Sequence, residues 1–267
     1  MRIEAITVCT SLKPGAPSYD DFLEVAARHN RGHFDRWIVV TAPWDGATRE
    51  LARRWNMELL LTEEAHQDGQ FRKGLMIQRA QRLLSADAWR LHLDADIVLP
   101  TTFRTALSVA NLDPECIYGV DRVCVKSWQQ WQDLLNSGYL SHQWDYHCRV
   151  TFPRGVEVGA RWASSQQGFA PIGFMQLWHA KADEAVSFQM RSYPSDHGEA
   201  SRSDTQMSLQ WDRRKRVLLP EVIAVHLESE DAPMGSNWTG RKTKRFEPPQ
   251  PSGTKTATPK TAQGPLS

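Results

Sequence analysis

Two aspartates one residue apart are the side chains of this chain best suited to hold a cation. Residues 91–100 read LHLDADIVLP, an apolar run that predicts one buried strand. Strand side chains alternate between two faces, so Asp94 and Asp96 are expected on the same face. Two carboxylates buried together repel each other, and a cation bound by both relieves that cost. Oxygen ligands suit Mg²⁺ or Mn²⁺, which often hold substrate phosphates, so a nucleotide-dependent enzyme is our first hypothesis.

Composition is that of an ordinary soluble protein with one large domain or two small ones. The chain has 267 residues, of which 40% are hydrophobic and 24% charged, and a net charge of +1. That charge gives no global field to attract nucleic acid or an anionic membrane. We find neither a signal-peptide pattern nor an apolar run near the ~20 residues that span a bilayer, and we expect a cytoplasmic protein. The cysteines lack metal-binding spacing and are expected to be reduced: Cys9, Cys116, Cys124 and Cys148.

Apolar strands alternate with amphipathic helices in the first part of the chain. The predicted strands cover 2–9, 36–41, 57–62 and 91–100, and the predicted helices cover 19–29, 47–55 and 74–84. This order indicates a parallel sheet covered on both faces, in which ligands bind at the carboxyl ends of the strands. Residues 9–11, residues 41–45 and the two aspartates all fall at that edge.

The second part of the chain is less regular. Its predicted helices cover 102–109 and 203–211, and its predicted strands cover 116–120, 171–178 and 216–227, the last with a break at Pro220. Residues 125–170 are rich in tryptophan. From 247 to 267, Pro, Thr, Lys, Gly and Ser dominate, which predicts a disordered tail.

Short motifs spread over residues 1–246 resemble the GT-A class of nucleotide-sugar glycosyltransferases, most closely its family 2-like group. They are Cys9-Thr10-Ser11, Asp45-Gly46, Phe71-Arg72-Lys73-Gly74, Asp94-Ala95-Asp96, Gly173-Phe174, Ser203-Asp204, and Leu219-Pro220 followed by His226. The resemblance implies an α/β fold of the GT-A (Rossmann-like) kind, with a mixed, mainly parallel sheet flanked by helices. Residues 1–246 would form the catalytic domain, with a nucleotide-binding half over 1–100. Residues 101–246 would hold the acceptor half and a C-terminal lid.

The same resemblance assigns the metal ligands. Asp96 is expected to bind the divalent metal that bridges the donor diphosphate, and His226 to complete the metal shell. Asp94 is expected to contact the ribose, or the metal through water. An imidazole ligand suits Mn²⁺ better than Mg²⁺, so Mn²⁺ is the favoured cofactor.

The resemblance also assigns the donor contacts and the base. Thr10 and Asp45 are expected to contact the nucleoside, and Lys73 to supply a cation at the donor. Asp204 is expected to deprotonate the acceptor hydroxyl, which favours inversion over retention. The acidic pair that usually precedes this base is here Ser203-Asp204, so the base rests on one residue.

Three further expectations come from the residues themselves. Residues 237–246 carry four cations and a glycine, and this segment is expected to close over the diphosphate with Arg241 and Lys242. Trp178, on a strand beside the site, is the candidate platform on which an acceptor stacks. Asp121 follows a predicted strand and is a candidate contact to donor or acceptor.

These features predict a metal-dependent enzyme that moves one sugar from a nucleotide donor, with UDP favoured, to an unidentified acceptor hydroxyl. The Gln-x-x-Arg-Trp signature of processive synthases is absent. Two alternatives stay open. A nucleotidyltransferase that makes a nucleotide sugar usually has a Gly-rich loop after the first strand, whereas residues 9–15 here are poor in glycine. A non-catalytic protein of the same fold that binds nucleotides or glycans is the other.

Overall fold

The computed structural model describes residues 1–67, 70–141, 156–159, 162–184, 192–195, 200–228, 241 and 243–249. The helices within these ranges are α1 (Asp20–Asn30), α2 (Gly46–Arg54), α3 (Lys73–Gln81), α4 (Phe103–Val109), α5 (Trp128–Asn136), α6 (Lys181–Glu184) and α7 (Ala200–Leu209). None of the helices in the described ranges has both the length and the apolar character needed to cross a bilayer.

In the main sheet of the same ranges, the strands at the two edges are short and the two longest strands lie in the second half of the strand order. They are β1 (Ile3–Val8), β2 (Arg36–Thr41), β3 (Glu58–Leu61), β4 (His66–Gln67), β5 (Gln70–Phe71), β6 (Trp89–Leu93), β7 (Ile97–Val98), β8 (Ile117–Val125), β9 (Glu157–Val158), β10 (Ala163–Ser164), β11 (Gly168–Phe169), β12 (Met175–His179) and β13 (Arg216–Leu227).

One mixed sheet organises the described part of the chain, in the order β3-β2-β1-β6-β12-β8-β13-β7, with β9 beside β8. The first four strands of this order run parallel, as do β8 and β13. The central strand β12 is antiparallel to both neighbours, and β7 is antiparallel to β13. The predicted fold class, a mixed and mainly parallel sheet flanked by helices, is therefore confirmed.

Helices cover both faces of the sheet because its strands are apolar on both sides. Ile3 and Ala5 of β1 pack in a core with Leu23 of α1 and Leu51 of α2. The alternate residue Ile6 packs on the other face, in a second core that includes Met76 of α3 and Met207 of α7. This two-sided burial explains why β1 is a continuous apolar run rather than an alternating one.

The predicted strand over 91–100 is wrong in one respect that matters for function. Strand β6 ends at Leu93, the chain turns through 94–96, and the short β7 then pairs with β13 instead of continuing β6. The turn is closed by a 3.3 Å hydrogen bond from the Ile97 amide to the Asp94 carbonyl. The two aspartates therefore do not alternate along a strand, and their side chains are positioned by a turn.

Other elements differ from the predictions in their bounds. Helix α7 begins at Ala200, three residues before the predicted start, which places Asp204 inside the helix. Strand β13 continues through Pro220, and the predicted break is a register shift between Leu218 and Ile223 against β8. Proline cannot donate to a ladder, so an irregularity there is expected. Helix α5 was not predicted, and Ser127 caps it by accepting a hydrogen bond from the Gln130 amide at 3.2 Å.

The described residues after β13 pack against α1. Arg241 and Arg245 form ion pairs with Asp21 and Asp20, and Phe246 is buried and stacks on Phe22 with ring centroids 5.2 Å apart. The predicted disordered tail begins at 247, and its residues 250–267 lie outside the described residues.

Candidate active site

The predicted metal ligands Asp96 and His226 are brought together at one edge of the sheet. Asp96 lies in the turn after β6, and His226 lies next to the end of β13, whose Leu227 amide donates to the Asp96 carbonyl at 2.8 Å. This backbone contact sets Asp96 Oδ2 3.3 Å from His226 Nε2. The two ligand candidates, 130 positions apart by their residue numbers, thus face each other.

Asp96 and His226 fit a divalent cation. The Oδ1 oxygen of Asp96 is buried and has no hydrogen-bond partner among the described residues. A buried carboxylate oxygen without a partner is costly, and a metal ion would satisfy it. One carboxylate and one imidazole are ligands that Mn²⁺ accepts. Their separation of 3.3 Å is close to the distance of about 3.0–3.4 Å between adjacent ligand atoms around an ion at about 2.1–2.2 Å.

The second nitrogen of His226 is also close to polar groups. Nδ1 lies 2.8 Å from Oε1 of Glu228 and 4.0 Å from the sulfur of Cys124. Burial alone would lower the pKa of His226, but the charge of Asp96 and the contacts to Cys124 and Glu228 raise it well above the usual value. In the absence of metal, the protonated imidazole is therefore favoured.

Asp94 belongs to a different cluster. Its Oδ1 lies 2.7 Å from Lys73 Nζ and 3.4 Å from His92 Nε2. Burial would raise the pKa of Asp94, but the positive charge of Lys73 and the contact to His92 hold it well below its usual range. The structure thus gives Asp94 an ion pair with a lysine of α3, and the predicted cation Lys73 is placed at the aspartate motif.

Lys73 joins Asp94 to the predicted base. Its buried ammonium lies 3.1 Å from Asp204 Oδ2 as well as 2.7 Å from Asp94 Oδ1. Burial would lower the pKa of Lys73, but the charges of Asp204 and Asp94 raise it above its usual range. One cation therefore compensates two carboxylates that approach from opposite halves of the sequence.

The Asp204 carboxylate is enclosed by its neighbours. Oδ1 accepts a short hydrogen bond from the Tyr193 hydroxyl, and Oδ2 faces Lys73. A Cβ atom added to Gly173 would lie 1.7 Å from Oδ2, so this close approach requires glycine. The Tyr193 hydroxyl oxygen also lies 2.9 Å from Gln176 Oε1, and burial and Asp204 raise the pKa of Tyr193 well above its usual value.

Thr10 and Asp45 lie where predicted, at the ends of β1 and β2, but their described contacts are internal. Thr10 Oγ1 accepts from the Ala42 amide at 3.0 Å. Asp45 is buried and caps α2, accepting from the Thr48 amide at 3.1 Å and the Ser11 amide at 2.8 Å. Its carboxylate therefore organises the first loop of the sheet, and a nucleoside contact would use neighbouring groups as well.

Trp178 does not support the predicted stacking role. It lies on β12, the antiparallel strand in the middle of the sheet, and its side chain is 0% exposed among Ile6, Met207 and Trp211. A fully buried ring offers no face to an acceptor. Asp121 is half-buried on β8, beside Ile223 of β13.

The side chain of Arg241 is buried and contacts residues at the start of α1. Its side chain is 2% exposed and forms an ion pair with Asp21 of α1, and Nη1 donates to the Ser18 carbonyl at 2.7 Å. The predicted contact with a diphosphate would have to break this pair, so the structure places Arg241 as an anchor of the chain after β13. Lys242 and residues 237–240 of the predicted lid lie outside the described residues.

Four side chains of these clusters were missed from the sequence. Glu228 carried a signal, because period-two alternation places it on the same strand face as His226. His92 lies on a predicted strand and Cys124 lies four residues beyond one, and neither had a recognisable partner in the sequence. Tyr193 comes from a segment without periodicity, and no pattern points to its hydroxyl. The complete set is His92, Cys124, Tyr193 and Glu228.

No protein-family model matches this chain, and no curated protein sequence matches it. Among solved structures, the chain is similar to the mannosyltransferase PcManGT from Pyrobaculum calidifontis in complex with GDP-Man and Mn²⁺. The identity is 16% and the TM-score 0.47, over 84% of this chain and 56% of that one. It is also similar to glucosyl-3-phosphoglycerate synthase from Mycobacterium tuberculosis in complex with uridine diphosphate. There the identity is 10% and the TM-score 0.45, over 87% of this chain and 73% of that one.

This chain thus spans little more than half the length of the mannosyltransferase. Because both TM-scores lie below 0.5, we argue the function of this chain from its own residues.

Proposed function

We propose that this chain is a metal-dependent GT-A glycosyltransferase that moves a single sugar from a nucleotide-sugar donor to an acceptor hydroxyl. The observation that supports it best is the pair of Asp96 and His226. One oxygen of the Asp96 carboxylate, Oδ1, is buried without a hydrogen-bond partner among the described residues, and the other, Oδ2, lies 3.3 Å from His226 Nε2, at the sheet edge where α/β proteins bind ligands. Mn²⁺ is the proposed metal, and a UDP-sugar is the favoured donor, with GDP-sugars as the alternative to test.

Each cluster has its own task in this proposal. Asp96 and His226 would hold the ion, which when bound neutralises the charge of a departing diphosphate. Asp94, held by Lys73, would face the ribose or a metal-bound water. Lys73 offsets the charges of Asp94 and Asp204, so that an anionic donor does not meet two uncompensated carboxylates.

Asp204 remains the proposed base, with one condition that its contacts impose. Both oxygens are engaged, by Tyr193 and Lys73, so an acceptor hydroxyl has to replace one of these contacts before its proton can be taken. A carboxylate within hydrogen-bond reach of the hydroxyl then makes it a better nucleophile. Direct displacement with inversion is the course that such a base supports.

The first test is ligand-dependent thermal stability. UDP, GDP, CDP and ADP would be titrated with and without Mn²⁺ into the wild type, Asp96→Asn and the control Asp133→Asn, whose aspartate is exposed on α5. A ligand that binds the folded state raises Tm by mass action. We expect one nucleotide to raise Tm only with Mn²⁺, in the wild type and in Asp133→Asn, and Asp96→Asn to lose that shift.

Turnover is then measured with the sugar derivative of the nucleotide that binds, using water as the acceptor and nucleotide release as the signal. The anomeric proton in the NMR spectrum of the released sugar distinguishes inversion from retention. Binding without release of nucleotide favours the non-catalytic alternative, and pyrophosphate-dependent consumption of the nucleotide sugar favours a nucleotidyltransferase. The absence of any Mn²⁺-dependent nucleotide shift contradicts the proposal.

A further inference from the structure

We propose that Glu228 is a positioning residue that sets the tautomer of His226. By holding the proton on Nδ1, it leaves the lone pair of Nε2 directed at Asp96 as the metal-binding nitrogen. The inference rests on the metal site of the proposed function and adds the group that prepares the histidine for it.

The backbone brings the two side chains to one face. His226 and Glu228 are two residues apart at the end of β13, so they project to the same side. The Glu228 amide donates to the Val125 carbonyl of β8 at 2.7 Å, which continues the pairing of the two strands past the last ladder residue. The carboxylate is therefore carried by an ordered strand end.

The contacts identify the partner of Nδ1. Oε1 of Glu228 lies 2.8 Å from it, whereas the Cys124 sulfur is at 4.0 Å, so the carboxylate is the nearer acceptor. The same oxygen is buried and has no donor in in-line hydrogen-bond geometry among the described residues, so it is available to Nδ1. The proposed hydrogen bond therefore requires the Glu228 carboxyl to rotate from its present orientation, in which Oε1 and Nδ1 are 2.8 Å apart.

Distances separate this role from that of a metal ligand. Adjacent ligand atoms at about 2.1–2.2 Å from one ion lie about 3.0–3.4 Å apart, from octahedral to tetrahedral coordination. The 2.8 Å between Nδ1 and Oε1 is shorter than this and is a hydrogen-bond distance. The 3.3 Å between Nε2 and Asp96 Oδ2 agrees with two ligands of one ion. Although Cys124, His226 and Glu228 lie close enough to suggest a metal site, the ion is better placed on the Nε2 side.

The chemistry requires such a partner. A neutral imidazole carries one proton, and the group that binds one nitrogen decides which nitrogen is left to bind metal. A carboxylate on the far nitrogen also fixes the ring orientation and makes the ligand more basic. Losing such a partner typically weakens metal binding by roughly 10–100-fold.

The test uses Mn²⁺ alone as the probe. Mn²⁺ affinity is measured by electron paramagnetic resonance for the wild type, Glu228→Leu, Glu228→Gln and the control Glu221→Leu, whose residue is half-buried on the same strand. We expect affinity to fall roughly 10–100-fold in Glu228→Leu, less in Glu228→Gln, which keeps an acceptor oxygen, and to stay unchanged in the control. In ¹⁵N-histidine spectra of the Mg²⁺-loaded wild type, we expect the His226 proton on Nδ1, and a loss of that preference in Glu228→Leu.

The outcomes separate this inference from the proposed function. If Asp96→Asn loses Mn²⁺ and both Glu228 variants keep it, the positioning role is wrong and the metal site stands. If the wild type binds no Mn²⁺, the proposed function is wrong, and nitrogen spectra of the metal-free protein, recorded at a pH high enough for His226 to be neutral, decide the tautomer. If Glu228→Leu fails to fold, Glu228→Gln carries the comparison, and an unchanged affinity and tautomer in it overturn the inference.

Discussion

Asp94 and Asp96 are separated by one residue, but their side chains contact different elements of the fold. The first faces Lys73 of α3 at 2.7 Å, and the second faces His226 of β13 at 3.3 Å. The turn between β6 and β7 causes this division, since a continuous strand would have kept both on one face. One aspartate of the motif therefore belongs to the proposed metal site, and the other belongs to the ion cluster around Lys73.

Replacing Lys73 with methionine is expected to destabilise the protein strongly. The change removes the cation that both Asp94 and Asp204 face, and an uncompensated buried charge costs roughly 3–5 kcal/mol. Urea unfolding measures this loss in Lys73→Met. The control Lys13→Met changes an exposed loop lysine and should stay within about 0.5 kcal/mol of the wild type.

A second variant identifies the source of the loss. Without Lys73, the carboxylates of Asp94 and Asp204 are both uncompensated. Adding Asp204→Asn to Lys73→Met removes one of these charges, so the double variant should recover part of the free energy of unfolding. If Lys73→Met is as stable as Lys13→Met, the ion cluster is not a structural element of the site.

The part of the site predicted from sequence is the part built on regular elements. β2 has the predicted bounds, and Asp96 and His226, the proposed metal ligands, lie close to the ends of β6 and β13. Burial depth was not predictable: Trp178 looks like any strand tryptophan, and its position in the middle of the sheet depends on how distant strands are ordered. The capping role of Asp45 did leave a signal, since aspartate is a favoured residue just before the start of a helix and a helix is predicted from residue 47.

The contact between Lys73 and Asp204 could not be predicted from the sequence, for a different reason. Lys73 and Asp204 are 131 residues apart, and only the packing of α3 and α7 on one sheet face brings them together. Local patterns report periodicity and caps, whereas this contact depends on topology. The resemblance located both residues but assigned them to a donor and an acceptor instead of to each other.

The two ion pairs that hold Arg241 and Arg245 on α1 should differ in strength. The Arg241 and Asp21 side chains are 2% and 4% exposed, whereas Arg245 is 48% exposed where it meets Asp20. Arg241→Ala leaves the buried carboxylate of Asp21 without its cation and is expected to lower the free energy of unfolding, measured in urea, by roughly 3–5 kcal/mol. Arg245→Ala should cost no more than about 1 kcal/mol.

Limited proteolysis provides an independent reading of the same contacts. Arg241→Ala should expose residues 243–246 to cleavage at protease concentrations at which they stay uncut in Arg245→Ala and the wild type. Equal stability and equal cleavage of the two variants would contradict the anchoring role. A loss of Mn²⁺-dependent nucleotide binding in Arg241→Ala, with stability unchanged, would instead restore the predicted diphosphate contact.

His33 should make stability depend on pH in a defined window. Burial, with the positive charge of Arg104, lowers its pKa to about 4, against about 6.5 for an unfolded histidine. Between these values the unfolded chain takes up a proton that the folded chain does not. Stability from this group is therefore complete above about pH 6.5 and falls as pH decreases towards 4, by at most about 1.4 kcal/mol per pH unit.

The variant His33→Phe isolates this effect, because the ring of His33 already packs edge-on against Phe103. Every other titrating group is common to both proteins and cancels in their difference. We expect the free energy of unfolding of the variant, relative to the wild type, to rise by roughly 2–2.5 kcal/mol between pH 7 and pH 4.5. A difference that does not change with pH would show that His33 titrates normally in the folded state.

Asp204→Asn tests the proposed base directly. Asparagine keeps the shape and can still accept the Tyr193 hydrogen bond, but it cannot take a proton. If Asp204 is the base, turnover should fall roughly 10²–10⁴-fold, while the Tm shift with nucleotide and Mn²⁺ stays near that of the wild type. A variant that loses nucleotide binding to the same extent as turnover would indicate that Asp204 only holds Lys73 in place.

Tyr193→Phe tests whether the hydrogen bond from Tyr193 limits the action of Asp204 as a base. The change removes the hydroxyl that occupies Asp204 Oδ1 and leaves the Lys73 contact on Oδ2 intact. Because an acceptor hydroxyl must displace one of these contacts, a free Oδ1 should keep or raise turnover, at a cost of roughly 1–3 kcal/mol in stability from the unpaired carboxylate oxygen. Turnover that falls as far in Tyr193→Phe as in Asp204→Asn would mean that the buried tyrosine–aspartate pair acts as one structural unit, and the base would then have to be sought outside α7.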